Sequence, residues 1–221
     1  MDTTTGLRER KKAATRQAVH EATLRLTVER GIENVTVEAI ADAAGISRRT
    51  FSNYFSSKED ALLFGDQRQT GVLLQALRER PADEPAWTAL RQAAQTVFTR
   101  HSADPAQRDW AVRCRLALRH PSLLARQLAN RVAFEHDIAE ALAGRPGTDQ
   151  VSPEVLAAVF LTSLRLATNA WLRENERENE RENERENEAA GRPGADAEGL
   201  TGRALIDVLA TYLDEAGQAF R

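Results

Sequence analysis

A glycine-centred turn between two short amphipathic segments constrains this chain more than any other feature. Residues 37–44 and 48–55 each carry apolar residues at helical spacing, and Ala44-Gly45-Ile46-Ser47 separates them. Glycine suits the left-handed backbone that ends a helix, and an apolar residue commonly follows it. Thr36 and Ser47 have the side chains of good N-caps. The pattern predicts two short helices joined by a tight turn.

The remainder of the 221-residue chain predicts an all-α protein of about nine helices. Sustained alternation of β-branched and aromatic residues is absent, and the better helix formers, Ala, Leu, Arg, Glu and Gln, dominate. We expect a three-helix helix-turn-helix domain over residues 1–63 and an α-helical bundle over 64–221. Outside the two short helices, the expected helices are Arg8–Arg30, Lys58 to about Arg80, Ala86–His101, Pro105–Arg119, Ser122–Ala143, Pro153–Trp171 and Leu200–Phe220.

The second short helix has two chemically different faces. At about 100° per residue, Phe51, Tyr54 and Phe55 share one side, and Arg49, Thr50, Ser52 and Asn53 lie on the opposite arc. Arginine pairs with guanine and asparagine with adenine in the major groove, which is what a DNA-reading helix requires. The alternative is a surface helix that is merely polar outside. The adjoining turn, the paired arginines and a basic segment upstream favour DNA binding.

Charge is unevenly distributed along the chain. The formal net charge is −3, but the segment from Arg173 to Glu188 reads Arg-Glu-Asn-Glu four times and contributes −4 by itself. Between Leu7 and Arg25, six basic residues stand against Glu9 and Glu21. The N-terminal region is therefore basic whatever the total suggests, and the slightly acidic average does not argue against a nucleic-acid partner.

The segment from Thr15 to Leu63, with Gly45-Ile46-Ser47 at its centre, resembles the DNA-binding signature of TetR-family transcriptional regulators. This resemblance implies a homodimer on a palindromic operator and a C-terminal ligand-binding and dimerisation domain, whose ligand releases the DNA. Residues 111–171 are weakly similar to the mycofactocin-type subgroup. Glu38 departs from the family pattern, because several members carry a basic residue there. By position, the resemblance implies DNA contacts for Thr36, Arg48, Arg49, Thr50, Ser52, Asn53, Tyr54 and Lys58.

No catalytic set or metal-ligand spacing is recognisable, so we expect neither an enzyme nor a cofactor. Apolar residues dominate the C-terminal region, which favours a lipophilic or acyl-type ligand whose anionic headgroup meets Arg113, Arg115 and Arg119. Plain core packing explains each candidate equally well, and Cys114 is more typical of a buried structural thiol than of a redox sensor. The candidate pocket residues are Trp87, Phe98, Trp110, Cys114, Leu118, Phe134 and Phe160.

The last two long helices are the expected dimer interface, because the resembling family uses them for this purpose. The Arg-Glu-Asn-Glu repeat between them, an insertion at 173–188, lacks an apolar face. We therefore expect a solvated extension of the preceding helix that does not pack. Candidate interface residues are Leu161, Leu164, Leu205, Leu209 and Tyr212.

Together these features predict a ligand-responsive repressor whose partners are double-stranded operator DNA, a second copy and a small effector. An activator of the same architecture remains open, as does a small helical lipid-binding carrier or enzyme. The N-terminus lacks the apolar stretch of a secretory signal, and no segment approaches the ~18 apolar residues of a membrane span. A cytoplasmic location without a membrane partner is expected, at the nucleoid when DNA is bound.

Overall fold

The computed structural model describes residues 3–100, 105–190 and 204–220, and within these ranges every regular element is helical. The predicted all-α class is confirmed. A short 3₁₀ helix, Ile32–Asn34, follows the first helix. The helices are α1 (Thr3–Arg30), α2 (Val37–Ala43), α3 (Arg48–Tyr54), α4 (Lys58–Leu62), α5 (Phe64–Arg78), α6 (Ala86–Arg100), α7 (Pro105–Arg119), α8 (Pro121–Leu142), α9 (Pro153–Ala190) and α10 (Leu205–Gln218).

The predicted fourth helix, from Lys58 to about Arg80, is two helices in the structure. The break falls at Leu63, which is buried and has φ −85° and ψ 4°. Hydrogen bonding continues across the break, because the N–H of Asp66 donates to the Leu63 carbonyl at 3.0 Å. Leucine is a good helix former, so local propensity does not indicate this break.

The chain divides into two compact units. The first consists of the described residues up to Gln69 together with Val112–Asn130, and the second of the described residues within 70–111 and 131–221. In the first unit, α1 packs on α2 and α4, and α2 packs on α3. The core of this helix-turn-helix includes Val19, Leu26, Val35, Ile40, Ala41, Phe51, Phe55 and Ala61.

The second unit is organised around α9, which packs against α10 and α6. Phe160 of α9 and Leu209 of α10 are fully buried. The span Pro153–Glu178 is long and apolar enough to cross a membrane by length and composition, so the expectation that no segment approaches the apolar length of a membrane span is wrong. Half of its most apolar window is buried inside the protein, as in a core helix, because one face packs against α10.

The Arg-Glu-Asn-Glu repeat continues α9 as far as Ala190, so the predicted helical extension is confirmed. Its first turn packs, contrary to expectation. Asn175 is 0% exposed, and its Nδ2 donates to the carbonyl of Trp171 at 2.8 Å. Arg177 and Arg181 further along are exposed. The repeat was expected to be solvated along its whole length. Asn175 is buried instead because the preceding turn, which includes Trp171 and Leu172, is itself buried.

Candidate nucleic-acid interface

Three side-chain N-caps fix the helices around the predicted reading surface. Thr36 Oγ1 accepts from the N–H of Ala39 at 3.1 Å, and Ser47 Oγ from that of Thr50 at 3.0 Å. Ser57 Oγ likewise accepts from the N–H of Asp60 at 3.1 Å. Each cap satisfies a backbone donor that the start of a helix leaves unpaired. The beginnings of α2, α3 and α4 are thereby set by the sequence itself.

The turn between α2 and α3 is a Schellman motif. Gly45 has φ +66°, the N–H of Ile46 donates to Ala41 O at 2.9 Å, and the N–H of Gly45 donates to Asp42 O at 3.1 Å. A side chain at position 45 would be strained by this positive φ. The turn leads directly into the Ser47 cap, so it fixes where α3 begins.

Helix α3 has the two faces that its sequence predicts. Phe51 and Phe55 are buried with their ring centroids 5.8 Å apart, and Tyr54 packs at the edge of the same core. Thr50 is partly buried, and its hydroxyl lies 2.8 Å from Ser47 Oγ. The exposed side chains of this helix are Arg48, Arg49, Ser52 and Asn53.

Glu38, which departs from the family pattern, forms an ion pair with the reading helix. Its Oε1 lies 2.6 Å from Arg48 Nη1, and the two side chains are 54% and 72% exposed, respectively. A guanidinium bound to a carboxylate is oriented and partly neutralised before any phosphate approaches. The first arginine of α3 is thus paired within the chain, a contact that sequence spacing alone does not indicate.

Lys58 has internal partners. Its Nζ donates to the carbonyls of Ile32 at 2.7 Å and Val35 at 2.9 Å. These bonds attach the start of α4 to the segment before α2 and use two of the three ammonium donors. A lysine expected only to meet phosphate therefore first holds the helices of this unit together.

A buried polar cluster joins α1, α5 and α7 in the first unit. Arg113, one of the arginines expected to meet an anionic headgroup, is 4% exposed, and its Nε donates to Asp66 Oδ1 at 2.8 Å. The Nδ1 of His20 lies 2.9 Å from the carbonyl of Ala61. A Cβ at Gly65 would lie 2.8 Å from Arg113 Cζ and 2.9 Å from His20 Nε2. A larger residue at position 65 would have to displace one of these two polar side chains.

The candidate pocket residues fall into separate groups. In the second unit, Trp87 lies 6.5 Å from Phe160, and Phe98 lies 6.3 Å from Trp110, measured between ring centroids. Trp171, which the prediction omitted, packs 6.1 Å from Trp110. Phe134 is buried in this unit as well.

Cys114 belongs to the first unit, and the side chain of Leu118 lies outside the described residues. Burial raises the pKa of the Cys114 thiol well above its ordinary value, so the thiol stays protonated. The expectation of a buried thiol is confirmed.

Three of the predicted interface residues are already buried within one chain. Leu161, Leu205 and Leu209 lie in the core of the second unit, whereas Leu164 and Tyr212 are partly exposed. These residues lie on α9 and α10, which pack against each other within the chain. The face of α9 that is left open includes Val155 and Leu166, which are 48% and 39% exposed.

Comparison with known proteins identifies the reading domain. Residues 20–63 match the family described as bacterial regulatory proteins, tetR family, and residues 84–181 match the MftR C-terminal domain. The transcriptional regulator TcmR of Streptomyces glaucescens is 34% identical over 173 residues, covering 75% of this chain and 76% of that protein. The chain belongs to the TetR family of DNA-binding transcriptional regulators.

Two further relatives agree with this assignment. MftR of Mycobacterium tuberculosis, assigned to mycofactocin biosynthesis, is 28% identical over 167 residues, 75% of this chain and 83% of that protein. The crystal structure of Thermus thermophilus FadR, a TetR-family repressor in complex with lauroyl-CoA, matches with a TM-score of 0.52 at 22% identity. That match covers 93% of this chain and 92% of FadR, and it supports the helical fold.

Proposed function

We propose that this regulator is a repressor that binds a palindromic operator as a homodimer and is released by a small acyl-type ligand. The observation that carries the proposal is α3, whose exposed Arg49, Ser52 and Asn53 project from a helix fixed by the Ser47 cap and buried phenylalanines. Base-reading side chains on a rigid support are what specific major-groove recognition needs. Its site of action is the cytoplasm.

Within this proposal the side chains at the interface have distinct roles. Arg49 and Asn53 read bases, with Thr50 and Ser52 as secondary contacts. Arg48 is oriented by its ion pair with Glu38, and in that orientation it contacts a base or a phosphate. Phosphate contacts come from Thr36, the Tyr54 hydroxyl and the remaining donor of Lys58.

The experiment is a mobility-shift and footprinting assay with DNA from upstream of the protein's own gene. Arg49→Ala and Asn53→Ala should each weaken specific binding by ~1–3 kcal/mol without affecting folding. Arg25→Ala is the matched control, because Arg25 is also exposed but lies on α1 and pairs with Glu29. Sequence-indifferent binding that is equally salt-sensitive in all variants would contradict base reading.

The dimer surface we propose is the open face of α9. At about 100° per residue, Val155, Val159 and Leu166 lie within ~40° of one another. Leu166→Glu should convert a dimer to a monomer in analytical ultracentrifugation, whereas Glu154→Gln, a change at an exposed residue of the same helix, should not. An unchanged dimer would move the interface elsewhere.

An acyl-type effector is supported by the apolar, aromatic second unit and by the ligand in the FadR complex, a protein with this fold. A thermal-shift titration with lauroyl-CoA, with coenzyme A alone as the control, tests it. Lauroyl-CoA should stabilise the protein and release it from DNA, whereas coenzyme A should do neither. Failure of every acyl-CoA chain length to shift the melting temperature would contradict it.

A further inference from the structure

The first helix extends well beyond the helix-turn-helix that it supports. It begins at Thr3, whereas the match to the tetR family begins at residue 20. Val19 and Leu26 are buried in the helix-turn-helix core, and the region from Arg8 to Ala14 is exposed. Arg8 stands ~16 Å before Val19 along the axis, at about 1.5 Å per residue. More than two turns of helix therefore project beyond the core contacts of α1.

The projecting turns carry a basic stripe, which we define as Arg8, Lys11 and Lys12. With Arg8 at 0°, Lys11 falls at about 300° and Lys12 at about 40°, while the buried Val19 and Leu26 fall at about 20° and 0°. The basic stripe therefore continues the same helix face that packs on α2 and α4. Within the described residues, no ion pair involves any of its three side chains.

Arg16 lies on α1 between the basic stripe and the core contacts, and its guanidinium packs against two aromatic rings. Its guanidinium carbon lies 5.5 Å from the centroid of the Phe55 ring and 4.9 Å from that of Phe64. The guanidinium is stabilised by these two rings, of which Phe55 directly follows the last residue of α3. Further along, Arg8 and Lys12 are like charges at i and i+4, which destabilise an isolated helix by a few tenths of a kcal/mol per pair. A polyanion removes this repulsion.

We propose that the basic stripe is a second DNA-contact site that binds phosphates flanking the sequence read by α3. The proposal rests on the proposed function, because it needs an operator-bound protein. Its ligand is the sugar–phosphate backbone, since three exposed, flexible cations recognise charge and not base identity. The contact lengthens the footprint and adds affinity that does not depend on the flanking sequence.

The test compares full-length protein on two duplexes, one ending at the footprinted core and one with about ten further base pairs on each side. The variant is Arg8→Gln, Lys11→Gln and Lys12→Gln together, which keeps helix propensity nearly unchanged. The control is Arg25→Gln, Arg30→Gln and Arg68→Gln, three exposed cations of the same unit. Circular dichroism and ultracentrifugation without DNA verify that fold and oligomeric state match the wild type.

Wild-type protein should bind the longer duplex about tenfold more tightly, with a salt slope steeper by ~0.9 for each added phosphate contact. The stripe variant should lose this difference and still protect the core, while the control retains it. Equal behaviour of variant and wild type, or equal losses in variant and control, would overturn the proposal. A changed oligomeric state without DNA would assign the stripe to a protein contact instead. If the wild type protects no specific site, the proposed function falls together with this inference.

Discussion

Helix α3 and the repeat in α9 are both rich in polar side chains, but among the described residues α3 has a buried apolar face, whereas the repeat buries the amide of Asn175. Both use Arg and Asn. In α3 these residues project from Phe51 and Phe55 behind a capped start, whereas Arg177 and Arg181 are exposed beyond the buried Asn175. A content of Arg and Asn is therefore not sufficient for a surface that recognises a base sequence. A polar face can report a base sequence only when the other face fixes where it points.

The largest effect on stability and operator binding is expected when a buried side chain behind α3 is removed. Phe51→Ala deletes a side chain that is 1% exposed, and core substitutions of this kind typically cost ~3–5 kcal/mol. We expect a large drop in the urea midpoint and loss of specific operator binding. Arg49→Ala is the matched change on the exposed face and should lower operator affinity at unchanged stability. A stable Phe51→Ala protein with normal specificity would show that the core does not orient the reading residues.

How far the sequence predicts this unit depends on whether a feature is local. The Ser47 cap, the Gly45 turn and the faces of α3 are set by neighbouring residues, and they were predicted. The internal bonds of Lys58 and the ion pair of the buried Arg113 depend on partners distant in sequence. The family resemblance suggested a dimer interface for Leu205 and Leu209, but a resemblance does not indicate which residues the chain buries in its own core, where both of them lie.

A smaller effect is expected from the cap. Ser47→Ala removes the acceptor for the N–H of Thr50 and the hydroxyl contact with Thr50 Oγ1, at a typical cost of ~1 kcal/mol. Chemical denaturation should show this loss, and operator affinity should fall with it because the first turn of α3 is less fixed. Ser47→Asp is the control, since aspartate also caps. If both variants lose stability equally, the cap hydrogen bond is not the cause.

Glu38 sharpens the comparison, because it places a carboxylate beside a reading helix. Glu38→Gln frees Arg48, and because both side chains are exposed, stability should change by less than ~1 kcal/mol. Non-specific DNA binding should rise a few-fold with a steeper salt dependence, so the ratio of specific to non-specific affinity falls.

The same change made in an Arg48→Ala background separates two roles of Glu38. If the carboxylate acts through Arg48, Glu38→Gln has little further effect there. A loss of specific affinity that persists without Arg48 would instead indicate direct acceptance from a cytosine amino group.

The smallest effect is expected from deletions in the Arg-Glu-Asn-Glu repeat of α9. Deleting Arg177–Glu188 removes three whole repeats but keeps Asn175, so thermal stability, oligomeric state and operator affinity should all equal those of the wild type. Deleting Arg173–Glu188 removes the buried amide too, and a hydrogen bond of this kind is typically worth ~0.5–1.5 kcal/mol. Only the longer deletion should lower the melting temperature. If the shorter deletion dissociates a dimer or weakens DNA binding, the polar repeat has a partner, and a helix face without a buried support can carry function after all.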